Sequence, residues 1–426
     1  MRKYDDYIYS GIELFGQIPL HWEVKRLKNI FSFSKGLTIT KKDLLEDGVP
    51  CINYGEIHSK YGFEVNPSRH FLKCVDENYL ITSKSSLLSK GDFVFSDTSE
   101  DIDGSGNFTY LNSDIRIFAG YHTIIAKPIK VYSYRYLAYL LDSLKFRNQI
   151  RSNVAGIKVY SITQGLLKRL YIFLPSSDEQ TLIVNYLDSK TQAIDKKINL
   201  LTQKASYYKE YRKSLINETV CKGLDKDVKL KESEVHYINS IAKHWKTERI
   251  KDLFNIGRGR VIGQELLVED GKYPVYSSQT ENNGCLGYIE TYDFDNDLLT
   301  WTTDGANAGT VFRRSGKFNC TNVCGTLIPK RKNLDLDYVV YALQESASHN
   351  KRIDTNGAKI MNNEMGVIKI VFPSLSEQTQ IADYLDKKTQ TIDKLVSNIN
   401  AQIQTMKELR KTLINDTVIG KIKIVS

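Results

Sequence analysis

EQTLIVNYLDSKTQAID, residues Glu179–Asp195, returns as EQTQIADYLDKKTQTID, residues Glu377–Asp393, at an offset of 377 − 179 = 198 residues. The repeat runs without a gap from 179–220 to 377–418, and 22 of those 42 pairs are identical. Identity gathers at the two ends: EQT…YLD.KTQ.ID first, then KE.RK.LIN.TV at Lys209–Val220 and Lys407–Val418. An alignment of this length without insertion points to a rigid element whose length matters.

The periodicity identifies that element. In the first copy Leu187, Ile194, Ile198, Leu201, Tyr208 and Leu215 recur in steps of three, four and seven; in the second Leu385, Ile392, Val396, Ile399, Met406 and Leu413 do the same. This is the seam of a coiled coil. Pro175-Ser176 and Pro373-Ser374 stand before Glu179 and Glu377 at the spacing of a capping box. Gly223 and Gly420 lie just past the far ends, where a helix stops. About 44 residues at ~1.5 Å each give a rod of roughly 66 Å. Thr191 and Thr389, and Arg212 and Arg410, interrupt the seam at matching places. They read either as tolerated polar residues or as setters of helix register.

A weaker repeat precedes each helix: HWEVKRLKNIFSFSKG from His21 and HWKTERIKDLFNIGRG from His244. The chain therefore reads as domain, helix, domain, helix, with boundaries at 1–174, 175–222, 223–372 and 373–420 and a tail at 421–426. Short β-like runs punctuated by Gly, Asn and Asp make both domains mixed α+β. Leu170–Leu174 and Ile368–Phe372 read as buried strands leading into the helices. Domain two starts where the first helix ends and finishes where the second begins. Compact domains keep their ends close, so connectivity predicts antiparallel helices and a pseudo-two-fold repeat.

Composition favours a polyanionic partner. The net charge is +9 and the isoelectric point about 8.9. No stretch has the apolar length of a membrane span, and the start lacks a signal-peptide core. The expected location is cytoplasmic, with the six cysteines reduced. Cys320 and Cys324 lack the further ligands of a zinc site, and no metal ligands are expected. Catalytic signatures are missing too: no GxxxxGK[ST], HExxH, GxSxG or Pro-Pro-aromatic motif occurs. Asp97, Asp101 and Asp103 lack calcium-loop spacing and read as a polar turn. Candidate DNA contacts are Arg258 and Arg260 in IGRGR, Lys35 at the matching place in domain one, Asn307 in the DGANAG turn, and Lys158 and Lys359 in the paired GIK and GAK segments.

Two Trp-led domains, each closing in a strand and then a Pro-x-x-x-EQ helix (Pro175, Glu179, Gln180; Pro373, Glu377, Gln378), resemble the specificity subunit of Type I restriction-modification enzymes. Ile18-Pro19 before His21-Trp22 fits that family; Ile241-Ala242 departs from it. The resemblance implies an α+β fold of two target recognition domains and two long antiparallel coiled-coil helices. Each domain would read one half of a bipartite, asymmetric double-stranded DNA site, and the helices would set the spacer and dock two methyltransferase subunits. Restriction/translocase subunits would join the complex. S-adenosylmethionine and ATP would bind those partners, leaving this chain non-catalytic and without a cofactor. The rival readings are a stand-alone DNA methyltransferase or nuclease, and a protein scaffold built on the coiled coil.

Overall fold

A computed structural model describes residues 2–154, 159–355 and 357–425. The chain forms two compact units, one of residues 1–201 with 401–426, the other of residues 202–400. The repeated segments are helices, Ser177–Lys222 and Leu375–Val418, and each unit owns part of both.

In the first unit the strand Glu23–Arg26, which follows the His-Trp pair, lies antiparallel to Tyr171–Leu174, with Leu174 opposite Glu23. The second strand leads directly into the long helix, so the two sequence anchors are hydrogen-bonded neighbours. Beyond them a five-stranded sheet runs Phe31–Lys35, Thr123–Pro128, Phe93–Ser96, Phe108–Leu111, Phe63–Val65. Phe93–Ser96 is buried along its whole length, because both faces of the sheet are covered; such a strand carries no alternation of polar and apolar residues. A second sheet pairs Val49–Ile52 in parallel with Ile117–Ala119.

The second unit repeats this plan. Lys246–Arg249 pairs with Lys369–Phe372, Lys246 opposite Phe372. Its main sheet runs Phe254–Arg258, Cys324–Pro329, Leu298–Thr302, Val311–Arg314. Here too a parallel pair, Tyr273–Tyr276 with Lys317–Cys320, forms the second sheet. The first unit adds the edge strand Phe63–Val65, parallel to Phe108–Leu111. Its Glu64 takes an ion pair from Arg135 at 2.7 Å, and Arg135 also grips Asp188 of the long helix at 2.6 Å.

The EQ pair closes each domain onto its helix. Glu179 Oε2 lies 2.9 Å from His21 Nε2 and accepts from Trp22 Nε1 at 3.2 Å. Glu377 Oε1 lies 2.8 Å from His244 Nε2 and accepts from Trp245 Nε1 at 2.9 Å. Gln180 and Gln378, both buried, each donate at 3.0 Å to the carbonyl of the preceding proline, Pro175 or Pro373. A reciprocal capping box forms at the second helix: Ser374 N donates to Glu377 Oε2 at 3.1 Å, and Glu377 N to Ser374 Oγ at 3.4 Å. At the first helix Ser176 Oγ accepts from Glu179 N at 3.3 Å, while the Glu179 carboxylate is engaged by Tyr4, His21 and Trp22.

Within each unit the helix segments run antiparallel. Asp195 pairs with Arg410 in the first unit, where Tyr4 contacts both Glu179 and Lys423. Arg212 pairs with Asp393 at 3.1 Å in the second, where Gly223 and Trp245 share a cavity wall with Glu377 and Ile381. Gly223 and Gly420 end the helices at φ +83° and +78°, a left-handed turn that glycine adopts without strain. Each then packs against its domain's tryptophan, Trp245 and Trp22. Thr191 and Thr389 have a different role from either expectation. Tyr139 Oη, from the helix Tyr134–Asp142, meets Thr191 Oγ1 at 3.2 Å and donates to Asp188 at 2.5 Å. Tyr341, from Leu336–Ser348, meets Thr389 at 3.1 Å and Asp386 at 2.7 Å. The threonines receive the domain, and the arginines pair the helices.

Candidate nucleic-acid interface

At one edge of each main sheet the loop after the central strand meets the turn that opens its neighbour. In the first unit Asp97 N donates to His122 O at 3.0 Å, and Ile162 N to Asp97 O at 2.8 Å. In the second Thr303 N donates to Val323 O at 3.3 Å, and Ile360 N to Thr303 O at 2.9 Å. The same two backbone bonds thus recur with different side chains attached. Backbone geometry is held constant while surface chemistry changes, which is the arrangement that lets one scaffold recognise two targets.

The side chains at the first edge are aromatic and polar. His122 Nδ1 lies 3.2 Å from Asp97 Oδ1, and its ring is 5.3 Å from that of Tyr54. His58 anchors the loop from beneath: Nε2 lies 2.8 Å from Thr98 O and Nδ1 2.8 Å from Asn107 Nδ2. Asp101 Oδ1 accepts from Gly104 N at 2.6 Å and Asp103 pairs with Arg151 at 3.3 Å. Asp101 therefore caps the turn, while Asp97 meets His122 and Asp103 meets Arg151. Among the described residues no group of His, Cys, Asp or Glu is placed to hold a metal.

At the second edge four segments converge. Asn307 Nδ2 donates to Thr280 Oγ1 at 3.1 Å, tying the DGANAG turn to the loop Ser277–Gly284. Thr321 Oγ1 bonds Ser277 Oγ at 3.0 Å, and Asp304 bridges to Lys359 in the hairpin Arg352–Asp354/Gly357–Lys359. The segments that carry Asn307 and Lys359 are thus joined at Asp304. Arg258 sits nearby but is held by Asn362 Oδ1 at 2.9 Å and Met361 Sδ at 3.1 Å. Arg260 is neutralised by Asp293 at 2.9 Å. Both arginines are exposed, yet each would exchange a protein partner for a nucleic-acid one. Lys35 is exposed at the end of its strand, with its carbonyl accepting from Ser86 Oγ at 3.0 Å. Lys158 lies outside the described residues.

Gly36 and Gly259 explain the glycine shared by SKG and GRG. A Cβ on Gly36 would stand 2.1 Å from Gly120 O, and one on Gly259 only 1.9 Å from Cys320 O. The chain crosses its neighbour too closely for any side chain. The seam residues take the sheltered face of the helices: Leu187, Leu385, Ile392, Ile399 and Leu413 are buried, and Ile194, Ile198, Leu201, Tyr208, Leu215, Val396 and Met406 half-buried. Sequence reading missed Ser277–Gly284 and His122. The Asn282-Asn283-Gly284 turn was the available signal for the first; nothing local marked the second.

The family model described as Type I restriction modification DNA specificity domain matches residues 19–203 and 242–405. The chain belongs to this family. Two proteins of Mycoplasma pneumoniae, each named a putative type I specificity subunit, are similar to it. One is 42% identical over 142 residues, 33% of this chain and 76% of the relative; the other is 31% identical over 246 residues, 58% of this chain and 91% of the relative. A solved chain from work titled as the structural basis of complex assembly and conformational transition of the type I R-M system has the same fold, with TM-score 0.73, 14% identity and coverage of 95% of this chain and 99% of that one. DNA recognition is the role of Type I specificity subunits, and as a family they are non-catalytic members of their complexes. Among the described residues no helix of this specificity subunit is long and apolar enough to cross a membrane.

Proposed function

We propose that this specificity subunit reads a bipartite, asymmetric double-stranded DNA site, one half with each recognition domain, residues 1–174 and 223–372. The paired helices, 175–222 and 373–420, fix the spacer and dock two methyltransferase subunits; restriction/translocase subunits join through the complex. S-adenosylmethionine and ATP belong to those partners. The observation that carries the reading is the repeated loop edge: Asp97–His122 and Thr303–Val323 make the same backbone bond, while the side chains around them differ. Two unlike readers on one repeated scaffold call for two unlike half-sites. The uninterrupted helices, 46 and 44 residues long, support a fixed spacer.

The test is to express the chain with its methylating partner and map modified adenines. A split, asymmetric motif is expected. Replacing residues 225–372 by another such domain should change one half only. Removing one heptad from both helices should change the spacer and leave the halves intact. Methyl transfer by the chain alone would instead indicate a stand-alone enzyme. DNA binding without sequence preference or salt dependence would indicate a scaffold, because phosphate contacts give a steep salt response.

A further inference from the structure

If each domain reads one half-site, as proposed above, particular side chains at its loop edge must meet the bases. Four non-glycine residues among those described have φ in the left-handed region: Phe63, His122, Asn282 and Asn283. Phe63 packs against Tyr110 and Tyr139 inside its domain. The other three stand at the repeated loop edge, His122 in the first unit and Asn282-Asn283 in the second. All three are exposed. Strained backbone that presents polar side chains to solvent concentrates at ligand sites, where the fold over-determines it. Asparagine tolerates this conformation well, and a primed hairpin turn takes two such residues in succession, so Asn282 and Asn283 fit a turn between the antiparallel strands Tyr273–Tyr276 and Cys285–Ile289. What the turn alone leaves open is why both positions carry exposed amides rather than glycine, and why His122 takes the same conformation at the edge of the other domain.

The second edge is also fixed from below. Thr280 is bonded by Asn307, Ser277 by Thr321, and Ser278 Oγ donates to Val323 O and accepts from Thr303 N. Arg314, 3% exposed, lies under the tip. Its Nε donates to Thr300 Oγ1 at 3.1 Å, and its guanidinium lies 3.6 Å from the Tyr276 ring centre and 4.4 Å from that of Phe312. Among the described residues its two terminal nitrogens meet no acceptor in hydrogen-bond geometry, and Nη2 is 2.9 Å from the point a Cβ on Gly284 would occupy. A cation held there by two aromatic faces places positive charge at Gly284, next in sequence to Asn282 and Asn283.

We propose that Asn282 and Asn283, with Asn307 beside them, are the base-reading side chains of the second recognition domain, and that His122 with Tyr54 serves the first. Asparagine amides pair bidentately with the N6 and N7 edge of adenine in the major groove, so the second half-site should contain an adenine read this way.

Asn282→Gly and Asn283→Gly test this, since glycine keeps the left-handed backbone and removes only the amide. Each variant, co-expressed with the methylating subunit, should relax discrimination at one or two positions of one half-site by about 10- to 100-fold and leave the other half unchanged. Affinity for non-cognate DNA and its salt slope should hold, because phosphate contacts are intact. His122→Gly should affect the opposite half. If a variant is poorly folded by thermal melting, Asn282→Asp replaces it; this exchanges the amide donor for an acceptor at the same size. An unaltered two-part motif in every variant overturns the assignment. A wild-type chain that gives no two-part motif overturns the bipartite reading, and this assignment with it.

Discussion

Arg410 Nε donates to Asp195 Oδ1 at 3.0 Å, and its counterpart, Arg212 with Asp393, closes at 3.1 Å. The residue numbers in each pair add to 605, which is the arithmetic of an antiparallel register, and each member of one pair is 198 positions from its counterpart in the other. All four side chains are partly exposed, so each pair contributes about 0.2–1 kcal/mol at most. Their value lies in marking one register, since a shift would break both pairs at once.

Reversing one charge, Arg410→Asp, should therefore lower stability by about 1 kcal/mol. Adding Asp195→Arg should restore most of it. Chemical denaturation of the two variants measures the coupling, and it should shrink in high salt. A double variant no better than the single would show that the pair does not set register.

The carboxyl of Glu377 gives a pH signature. Burial pushes it up, but hydrogen bonds from His244, Trp245 and Ser374 outweigh burial and hold it at about 2, against an ordinary value of 4.5. The folded value is the lower one, so this contribution is complete above pH 4.5 and is lost as pH falls towards 2. Glu377→Gln should be less stable than the wild type at pH 6, and the gap should close between pH 4.5 and 2. Urea titrations across that range measure it.

Tyr139 and Tyr341 should matter as hydroxyls. Tyr341→Phe removes the donor to Asp386 and the hydroxyl contact with Thr389, and Tyr139→Phe the donor to Asp188 and the contact with Thr191. A hydrogen bond to a charged group contributes about 1.5–3 kcal/mol, reduced here by partial exposure. Each substitution should cost about 1–2 kcal/mol, read by thermal melting.

Gly259→Ala should disturb the second unit despite adding a single methyl. The new carbon would meet a backbone carbonyl, Cys320 O, which cannot turn aside as a side chain can. A loss of about 1–3 kcal/mol is expected, with altered recognition of one half-site only. Gly36→Ala should do the same for the other half, and methylation mapping separates the two.

Some of the architecture was written locally. Leu187 to Leu215 keeps the three-four step because a helix has 3.6 residues per turn, so the long helices could be read without their surroundings. The Trp-led and Pro-x-x-x-EQ anchors were equally plain, and the structure adds why they travel together: Glu179 binds His21 and Trp22, and Glu377 binds His244 and Trp245. A second repeat went unread: Tyr136-x-x-Tyr139 and Tyr338-x-x-Tyr341, whose first members donate to Phe173 O and Val371 O at 3.0 and 2.8 Å. It was obscured by the unequal lengths of the preceding loops.

The candidate interface was only partly legible. Arg258 and Arg260 stood out by charge, yet Asn362 and Asp293 engage them. The segments of Asn307 and Lys359, more than 50 positions apart in sequence, meet because Asp304 bridges to Lys359 and Ile360 N bonds Thr303 O. His122 gained its position only when Tyr54 and Asp97 were folded against it.

The sequence by itself determined the periodic and the repeated: two long helices, two domains of one plan, and the family they belong to. Those features depend on spacing along the chain, which folding does not change. Tertiary structure alone decided which side chains share an edge, which cations are already paired, and where the threonines of the seam find their partners. Those depend on contacts between residues far apart in the chain, and such contacts exist only once the backbone has closed around them.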